Sequence, residues 1–238
     1  MRTRPFLLIS VQAFFAAFCV ALLRTTTGAA DTNQPHHVRW ESAIAEFEAT
    51  DKTNPPPPNA IEFIGSSSIR RWTNAPAQFP GHQIFNRGFG GSHLGDSTAF
   101  VERIVLPYRP KLVVLYAGDN DISAGLSSEK VFADFREFVR KIHAALPDTR
   151  IAFISIKACP AREKYLKPVE ATNKLIRNYI RKDKKLLYID VFRASFTGKD
   201  KLRTDIYMAD GLHPNEAGYE LWAGIVKPIL DQVDPPPN

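Results

Sequence analysis

The sequence predicts an α/β fold in which helices cover both faces of a parallel five-stranded sheet, a three-layer α/β/α sandwich. Two observations carry this prediction: short β-rich runs alternate with helical patterns along most of the chain, and several of these runs are apolar throughout. Apolar strands without polar alternation are expected where helices cover both faces of a parallel sheet. A third observation, polar residues directly after the apolar runs, places the chemistry at the carboxyl ends of the strands.

The chain begins with a segment that has the order of a secretory signal peptide. Arg2 and Arg4 precede an apolar stretch at residues 6–23, and small residues at 25–30 then lead into a polar segment. We therefore expect cleavage near residue 30 and export to the periplasm or the medium. The alternative is an uncleaved helix that anchors the protein, because the apolar stretch approaches the length of a membrane span.

Removing this segment halves the basic excess of the chain. The whole sequence has 31 Lys and Arg against 25 Asp and Glu, a net charge of +6. Arg2, Arg4 and Arg24 lie in the first thirty residues with no acid, so 28 basic and 25 acidic residues remain, a charge of +3. The small net charge of the remaining chain therefore gives no support for a nucleic-acid partner. Cys159 remains as the single cysteine, which excludes an intramolecular disulfide.

The predicted elements then follow in order. Residues 38–50 carry Trp40, Ile44 and Phe47 at spacings of three and four, which predicts an amphipathic helix, and prolines at 55–58 break the chain. The remaining patterns alternate, with strands at 61–64, 83–85, 112–116, 151–156 and 186–191 and helices at 68–73, 96–106, 128–146, 163–181 and 214–232. This alternation is typical of βαβ units and a parallel sheet.

The domain organisation follows from these elements. We expect a signal peptide at 1–30, an N-terminal helix with a proline-rich linker at 31–58, one α/β domain at 59–232 and a proline-rich tail at 233–238. The α/β domain is long enough to bury its own sheet.

Four polar blocks follow the predicted strands or precede the last helix. The first, Gly65-Ser66-Ser67-Ser68, puts hydroxyls at a strand-to-helix turn, where free N–H groups favour a developing oxyanion. Taken alone, such serines are more often helix caps than nucleophiles.

The second and third blocks supply candidate oxyanion donors. Residues 86–92 contain three glycines, which allow close backbone approach to a ligand or simply make a flexible turn. Residues 118–121 include Asn120, whose amide can donate to an oxyanion or close an Asx-turn.

The fourth block, residues 210–215, is the most specific. Asp210 lies three residues before His213, close enough for the carboxylate to reach Nδ1 and leave Nε2 as a base. Pro214 suits the first turn of the final helix. A metal site is the competing interpretation, but one Asp and one His need further ligands that no motif spacing provides, so we expect no metal.

These four blocks, in this order, resemble those of the SGNH hydrolases, also called the GDSL esterase and lipase family. The resemblance extends over about residues 61–229. It implies a flavodoxin-like sheet in the strand order 2-1-3-4-5, and neither a metal nor an organic cofactor.

The resemblance also implies roles for five residues. Ser67 matches the family nucleophile, and Asp210 and His213 match the rest of its triad. Gly91 and Asn120 match the residues that form the oxyanion hole together with the Ser67 N–H. The sequence departs from the family at Ser66, where an aspartate is usual, and Ser67 is chosen among the three adjacent serines because it keeps the spacing to Gly65.

The implied function is hydrolysis of carboxylic acyl esters by a Ser-His-Asp mechanism. We expect small acyl groups, with acetyl esters of carbohydrate as one substrate class, so the partner is a small-molecule or polysaccharide ester. The alternatives are a lysophospholipase-like acylhydrolase, an acyltransferase on the same fold, and a carbohydrate-binding module with an inactive site. The last is disfavoured because all five positions are filled. We expect no stable membrane partner unless the N-terminal segment stays uncleaved.

Overall fold

The computed structural model describes residues 35–198 and 200–235. The signal peptide predicted for residues 1–30 lies outside these residues, as does the end of the proline-rich tail, so both stay predictions. Among the described residues, no helix is long and apolar enough to cross a membrane.

A five-stranded parallel sheet forms the centre of the molecule. Its strands pair in the order β2-β1-β3-β4-β5, with bounds β1 Ile61–Gly65, β2 Ile84–Gly88, β3 Leu112–Tyr116, β4 Arg150–Ile154 and β5 Leu186–Ile189. The predicted fold class and strand order are therefore confirmed. Strand β1 lies between β2 and β3, so the loops that follow these three strands meet at one edge of the sheet.

Helices cover both faces of the sheet, as the apolar strands require. The helices are α1 Glu41–Asp51, α2 Ser67–Arg70, α3 Ala75–Gln78, α4 Leu94–Ala99, α5 Val101–Ile104, α6 Asp119–Ser123, α7 Ser128–Ala145, α8 Leu166–Ile180, α9 Val191–Ala194 and α10 Glu216–Val233. Short 3₁₀ turns occur at His36–Trp40, Leu106–Tyr108 and Pro160–Tyr165, and a small hairpin pairs β6 Phe196–Thr197 with β7 Lys201–Leu202.

Two apolar clusters lie on the two faces of the sheet. Phe153 of β4 packs with Phe135 of α7 on one face, and on the other Phe63 of β1 packs with Trp72, which in turn packs with Trp222 of α10. Burial of each such side chain contributes about 1.5–3 kcal/mol. The interior therefore holds the strand ends at fixed positions.

Several element boundaries differ from the predictions for local reasons. The helix predicted at 96–106 is split into α4 and α5, with Phe100 in a non-helical conformation between them. The last helix begins at Glu216 because the Asn215 side chain accepts a hydrogen bond from the Gly218 N–H at 3.0 Å. Pro214 therefore precedes the N-cap, so its predicted position in the first helical turn is wrong.

The N-terminal helix packs against the α/β domain. Ile44 of α1 is buried in the same cluster as the sheet. Asp51 accepts two hydrogen bonds from Arg87 of β2, at 2.6 and 2.7 Å, and both side chains are largely buried. The 3₁₀ turn before α1 also brings Trp40 against residues 88–92 at the end of β2, here called the glycine turn.

Candidate active site

The site begins where β1 ends beside β3. Gly65 has φ +136°, and a Cβ atom there would lie 1.9 Å from the Tyr116 carbonyl oxygen. Only glycine therefore fits at this position beside β3. The Ser66 N–H donates to the same oxygen at 3.0 Å. The chain then turns directly into α2, which places the three serines at a helix N-terminus.

Ser67 is the accessible serine of the three. Ser66 and Ser68 are each about 1% exposed, whereas Ser67 is half-buried and begins α2. The first N–H groups of a helix have no acceptor within the helix, so the Ser67 N–H is available to an oxyanion. The burial pattern therefore favours Ser67 over its neighbours, in agreement with the family resemblance.

A chain of hydrogen bonds joins Ser67 to His213 and Asp210. The Ser67 Oγ lies 2.9 Å from His213 Nε2, and His213 Nδ1 lies 2.6 Å from Asp210 Oδ2. A carboxylate accepts only, so Nδ1 carries the proton and Nε2 is free to accept from the Ser67 hydroxyl. This is the arrangement in which a histidine acts as a general base toward serine.

Asp210 also holds the shape of its own loop. Its Oδ1 accepts hydrogen bonds from the backbone N–H groups of Leu212 at 2.9 Å and His213 at 3.0 Å. The bonds from the His213 side chain and backbone, with the one from Leu212, hold the pKa of the Asp210 carboxyl well below its usual range. The carboxylate is therefore ionised at neutral pH.

Gly91 and Asn120 lie beside each other on the neighbouring loops. A Cβ atom on Gly91 would lie 3.8 Å from Asn120 Nδ2, and that nitrogen donates to the Ser92 carbonyl at 3.0 Å. The loops that carry them follow β2 and β3, the two neighbours of β1. The second Asn120 amide hydrogen is the one available to an oxyanion.

The glycine turn is held from two sides. Gly90 has φ +45°, and a Cβ atom there would lie 1.8 Å from the Trp40 ring. The Leu94 N–H donates to Asp121 Oδ1 at 2.9 Å, which ties this turn to the loop of Asn120. Burial raises the pKa of Asp121 to about 7, against the opposing effect of the Leu94 hydrogen bond.

Two residues near the site were given no role there by the sequence patterns. Arg162 donates to Asn120 Oδ1 at 2.8 Å, and Trp40 packs on the glycine turn. Arg162 follows β4 at the carboxyl edge of the sheet, and that position was the available sequence signal. The sequence carried no such signal for Trp40, because its contact with the glycine turn depends on how the N-terminal helix docks.

One group of side chains among the described residues has ligand types suited to a metal. Ligand atoms of His36, His93 and Asp96 lie within 4.8 Å of one another. The two imidazole rings, however, stack in parallel at 3.8 Å, so their in-plane lone pairs do not converge on one point. Asp96 instead accepts hydrogen bonds from His36 at 2.8 Å and Trp40 at 3.0 Å, which fastens the N-terminal turn to α4.

Comparison with solved structures finds the same fold. A GDSL-like lipase from Bacteroides thetaiotaomicron aligns at 19% identity with a TM-score of 0.67, covering 83% of this chain and 98% of that one. A carbohydrate esterase family 3 protein from Talaromyces cellulolyticus aligns at 18% identity with a TM-score of 0.60, covering 73% and 97%. A family 3 carbohydrate esterase from Clostridium thermocellum aligns at 15% identity with a TM-score of 0.60, covering 75% and 100%.

Comparison at the level of sequence gives the family. No curated protein matches the chain. The GDSL-like Lipase/Acylhydrolase family matches residues 57–221, which include β1 to β5 and all four polar blocks. The predicted resemblance is thereby confirmed: the chain belongs to the GDSL-like lipase/acylhydrolase family of hydrolases.

Proposed function

We propose that the chain is a serine esterase that hydrolyses carboxylic acyl esters through an acyl-enzyme on Ser67. The observation that carries this proposal is the 2.9 Å contact between Ser67 Oγ and His213 Nε2, with Asp210 on the other ring nitrogen. A buried structural histidine would not need an accessible serine at the start of a helix as its partner.

In the first half-reaction the Ser67 oxygen attacks the ester carbonyl carbon while its proton passes to His213 Nε2. The carbonyl oxygen becomes an oxyanion, which accepts hydrogen bonds from the Ser67 and Gly91 N–H groups and the Asn120 amide. Asp210 stabilises the imidazolium that forms. His213 then gives the proton to the departing alkoxide oxygen, the carbon–oxygen bond to the alcohol breaks, and the acyl group stays on Ser67.

In the second half-reaction a water molecule replaces the alcohol. His213 takes a proton from the water as it attacks the acyl carbon, and the oxyanion forms again in the same hole. His213 then returns a proton to the Ser67 oxygen as the ester bond breaks. The acid leaves and the free serine is restored.

We further propose small acyl groups, with acetyl on carbohydrate as the substrate class. Gly91 and Asp210, which lie on two of the loops that carry the site residues, are exposed, which supports access by a bulky alcohol such as a polysaccharide. Two structures of the same fold are named as family 3 carbohydrate esterases. The open site gives less support to a lysophospholipase-like activity, which needs apolar surface for a long chain.

A chain-length series tests the substrate class. We expect p-nitrophenyl acetate to be hydrolysed with a higher kcat/KM than the octanoate, and acetate to be released from acetylated xylan or pectin. A preference for octanoyl or lysophospholipid substrates would contradict this class and favour the lipase-like alternative. A transferred acyl group on an added sugar acceptor, found by product analysis, would favour the acyltransferase.

We also propose that the protein is exported. The order of charge, apolar stretch and small residues in the first thirty positions supports this proposal. Expression of the full chain in a bacterial host should yield a protein outside the cytoplasm whose N-terminus begins near Asp31. A full-length protein in the membrane fraction would favour the uncleaved anchor instead.

A further inference from the structure

The turn after β4 places a cationic side chain directly behind the candidate oxyanion donor. Arg162 donates from its guanidinium to Asn120 Oδ1 at 2.8 Å, and its side chain is only 17% exposed. Because Oδ1 accepts this bond, the Asn120 Nδ2 must face the opposite way, toward Ser92 and Gly91. The guanidinium therefore fixes which end of the amide faces the site.

The charge of Arg162 is only partly neutralised. Its guanidinium lies 3.2 Å from Asp119 Oδ2, and the same oxygen accepts from the buried Lys157 ammonium at 2.7 Å. Burial alone would raise the pKa of Asp119, but the charges of Lys157 and Arg162 outweigh it and hold that pKa below its usual value. Two cations thus share one carboxylate, which leaves an excess positive charge behind the Asn120 amide.

The backbone around Arg162 is anchored to the rest of the site. The Arg162 N–H donates to the Cys159 carbonyl, and the Ala161 N–H donates to the Gly211 carbonyl, each at 3.0 Å. Gly211 lies in the loop that carries Asp210 and His213. The turn after β4 therefore contacts both the acid–base loop and the oxyanion donor, and Arg162 has little freedom to move.

From this geometry we infer that Arg162 is a positioning residue of the oxyanion hole, which orients the Asn120 amide and strengthens it as a donor. A hydrogen bond from a cation to the amide oxygen draws electron density from the amide, so its N–H groups become better donors. This inference rests on the ester hydrolysis proposed above.

The alternative role is recognition of an anionic substrate group. Arg162 Nη2 donates to Asn120, and Nη1, which lies 3.2 Å from Asp119 Oδ2, is buried away from the open side of the site. Little of the guanidinium remains for a substrate carboxylate. The inference therefore predicts an effect on kcat with little change in KM, whereas substrate recognition would change KM.

The test compares Arg162→Met, Arg162→Lys and the control Arg140→Met by steady-state hydrolysis of p-nitrophenyl acetate. Arg140 pairs with Glu137 on the exposed surface of α7, so its loss should leave activity unchanged. Arg162→Met should lower kcat tenfold or more, with KM within about twofold, and Arg162→Lys should recover part of the loss because it keeps the charge. Thermal melting of each variant identifies any that fail to fold.

A double-mutant cycle with Asn120→Ala separates this role from a structural one. If Arg162 acts through Asn120, Arg162→Met should cost less than threefold in kcat once Asn120 is alanine. An equal loss in both backgrounds, or a kcat within threefold of the unmodified protein for Arg162→Met alone, would overturn the inference. Retained activity in Ser67→Ala would instead refute the proposed function, so the two failures are distinguishable.

Discussion

Replacement of Asp210 by asparagine should remove the activity and leave the fold intact. The two oxygens of Asp210 have separate roles: Oδ1 accepts from two backbone N–H groups of its own loop, and Oδ2 accepts from His213 Nδ1. An asparagine keeps an oxygen for the loop. It presents an amide nitrogen to the imidazole, and that group donates where a carboxylate would accept.

The size of the expected loss in kcat follows from the His213 tautomer that Asp210→Asn imposes. When the neighbouring amide donates, His213 Nδ1 must accept, so its proton moves to Nε2 and the ring can no longer take the proton of Ser67. The same change in other serine triads lowers kcat by about 10⁴. The Asp210 side chain is 43% exposed, so water competes for Nδ1 and weakens the effect. We therefore expect a loss on the order of 10³, or about 4 kcal/mol of transition-state stabilisation.

The assay is kcat for p-nitrophenyl acetate, measured beside the thermal unfolding midpoint. Asp205→Asn is the matched control, because Asp205 is a more exposed carboxylate nearby that pairs with Arg203 and does not contact the imidazole. We expect the control to keep full activity. A kcat for Asp210→Asn within threefold of the unmodified protein, with an unchanged midpoint, would refute the assignment of Asp210 as the orienting carboxylate.

Three further predictions follow from the site and its supports. Asn120→Ala should lower kcat by about 10²–10³, on the order of 3 kcal/mol, with little change in KM, and an unchanged kcat would exclude this amide from the oxyanion hole. Since burial raises the pKa of Asp121 to about 7, the folded protein retains a proton that the unfolded chain loses near pH 4. The contribution of Asp121 to the free energy of unfolding should therefore fall by about 1.4 kcal/mol for each unit that the pH rises between 4 and 7, and denaturant titrations should give Asp121→Asn a slope against pH that differs from that of the unmodified protein by this amount. Gly90→Ala should lower the free energy of unfolding by about 1–3 kcal/mol, because a methyl group would overlap the Trp40 ring at a residue with positive φ, and an unchanged denaturation midpoint would show that this contact does not form.

The sequence was enough to predict the sheet and to place polar residues at the edge where its strands end, and the reason is physical. Short apolar runs such as 112–116, alternating with helical patterns, are typical of strands buried on both faces, and parallel strands bring their carboxyl ends to one edge. The block of His213 precedes the last helix, so it was the family resemblance that led us to expect Ser67 and His213 to meet, and the structure places them in hydrogen-bond contact.

What the sequence did not predict depends on contacts between distant elements. Arg162 lies on the turn after β4, but only the docking of that turn shows that its guanidinium reaches Asn120. Trp40 was assigned to an amphipathic helix, and its position on the glycine turn depends on the packing of α1. Pro214 was misplaced because the side chain of Asn215, rather than the proline, determines where α10 begins.

Identification of the reactive serine tests the central claim most directly. The protein is treated with a fluorophosphonate, which reacts with an activated serine, and the adduct is located by peptide mass spectrometry. Ser66→Ala and Ser68→Ala are the matched controls, because both side chains are buried beside Ser67. We predict one adduct on Ser67, retained in both controls and lost in Ser67→Ala together with hydrolysis of p-nitrophenyl acetate. An adduct on Ser66 or Ser68, or full hydrolysis by Ser67→Ala, would contradict a mechanism built on Ser67, His213 and Asp210.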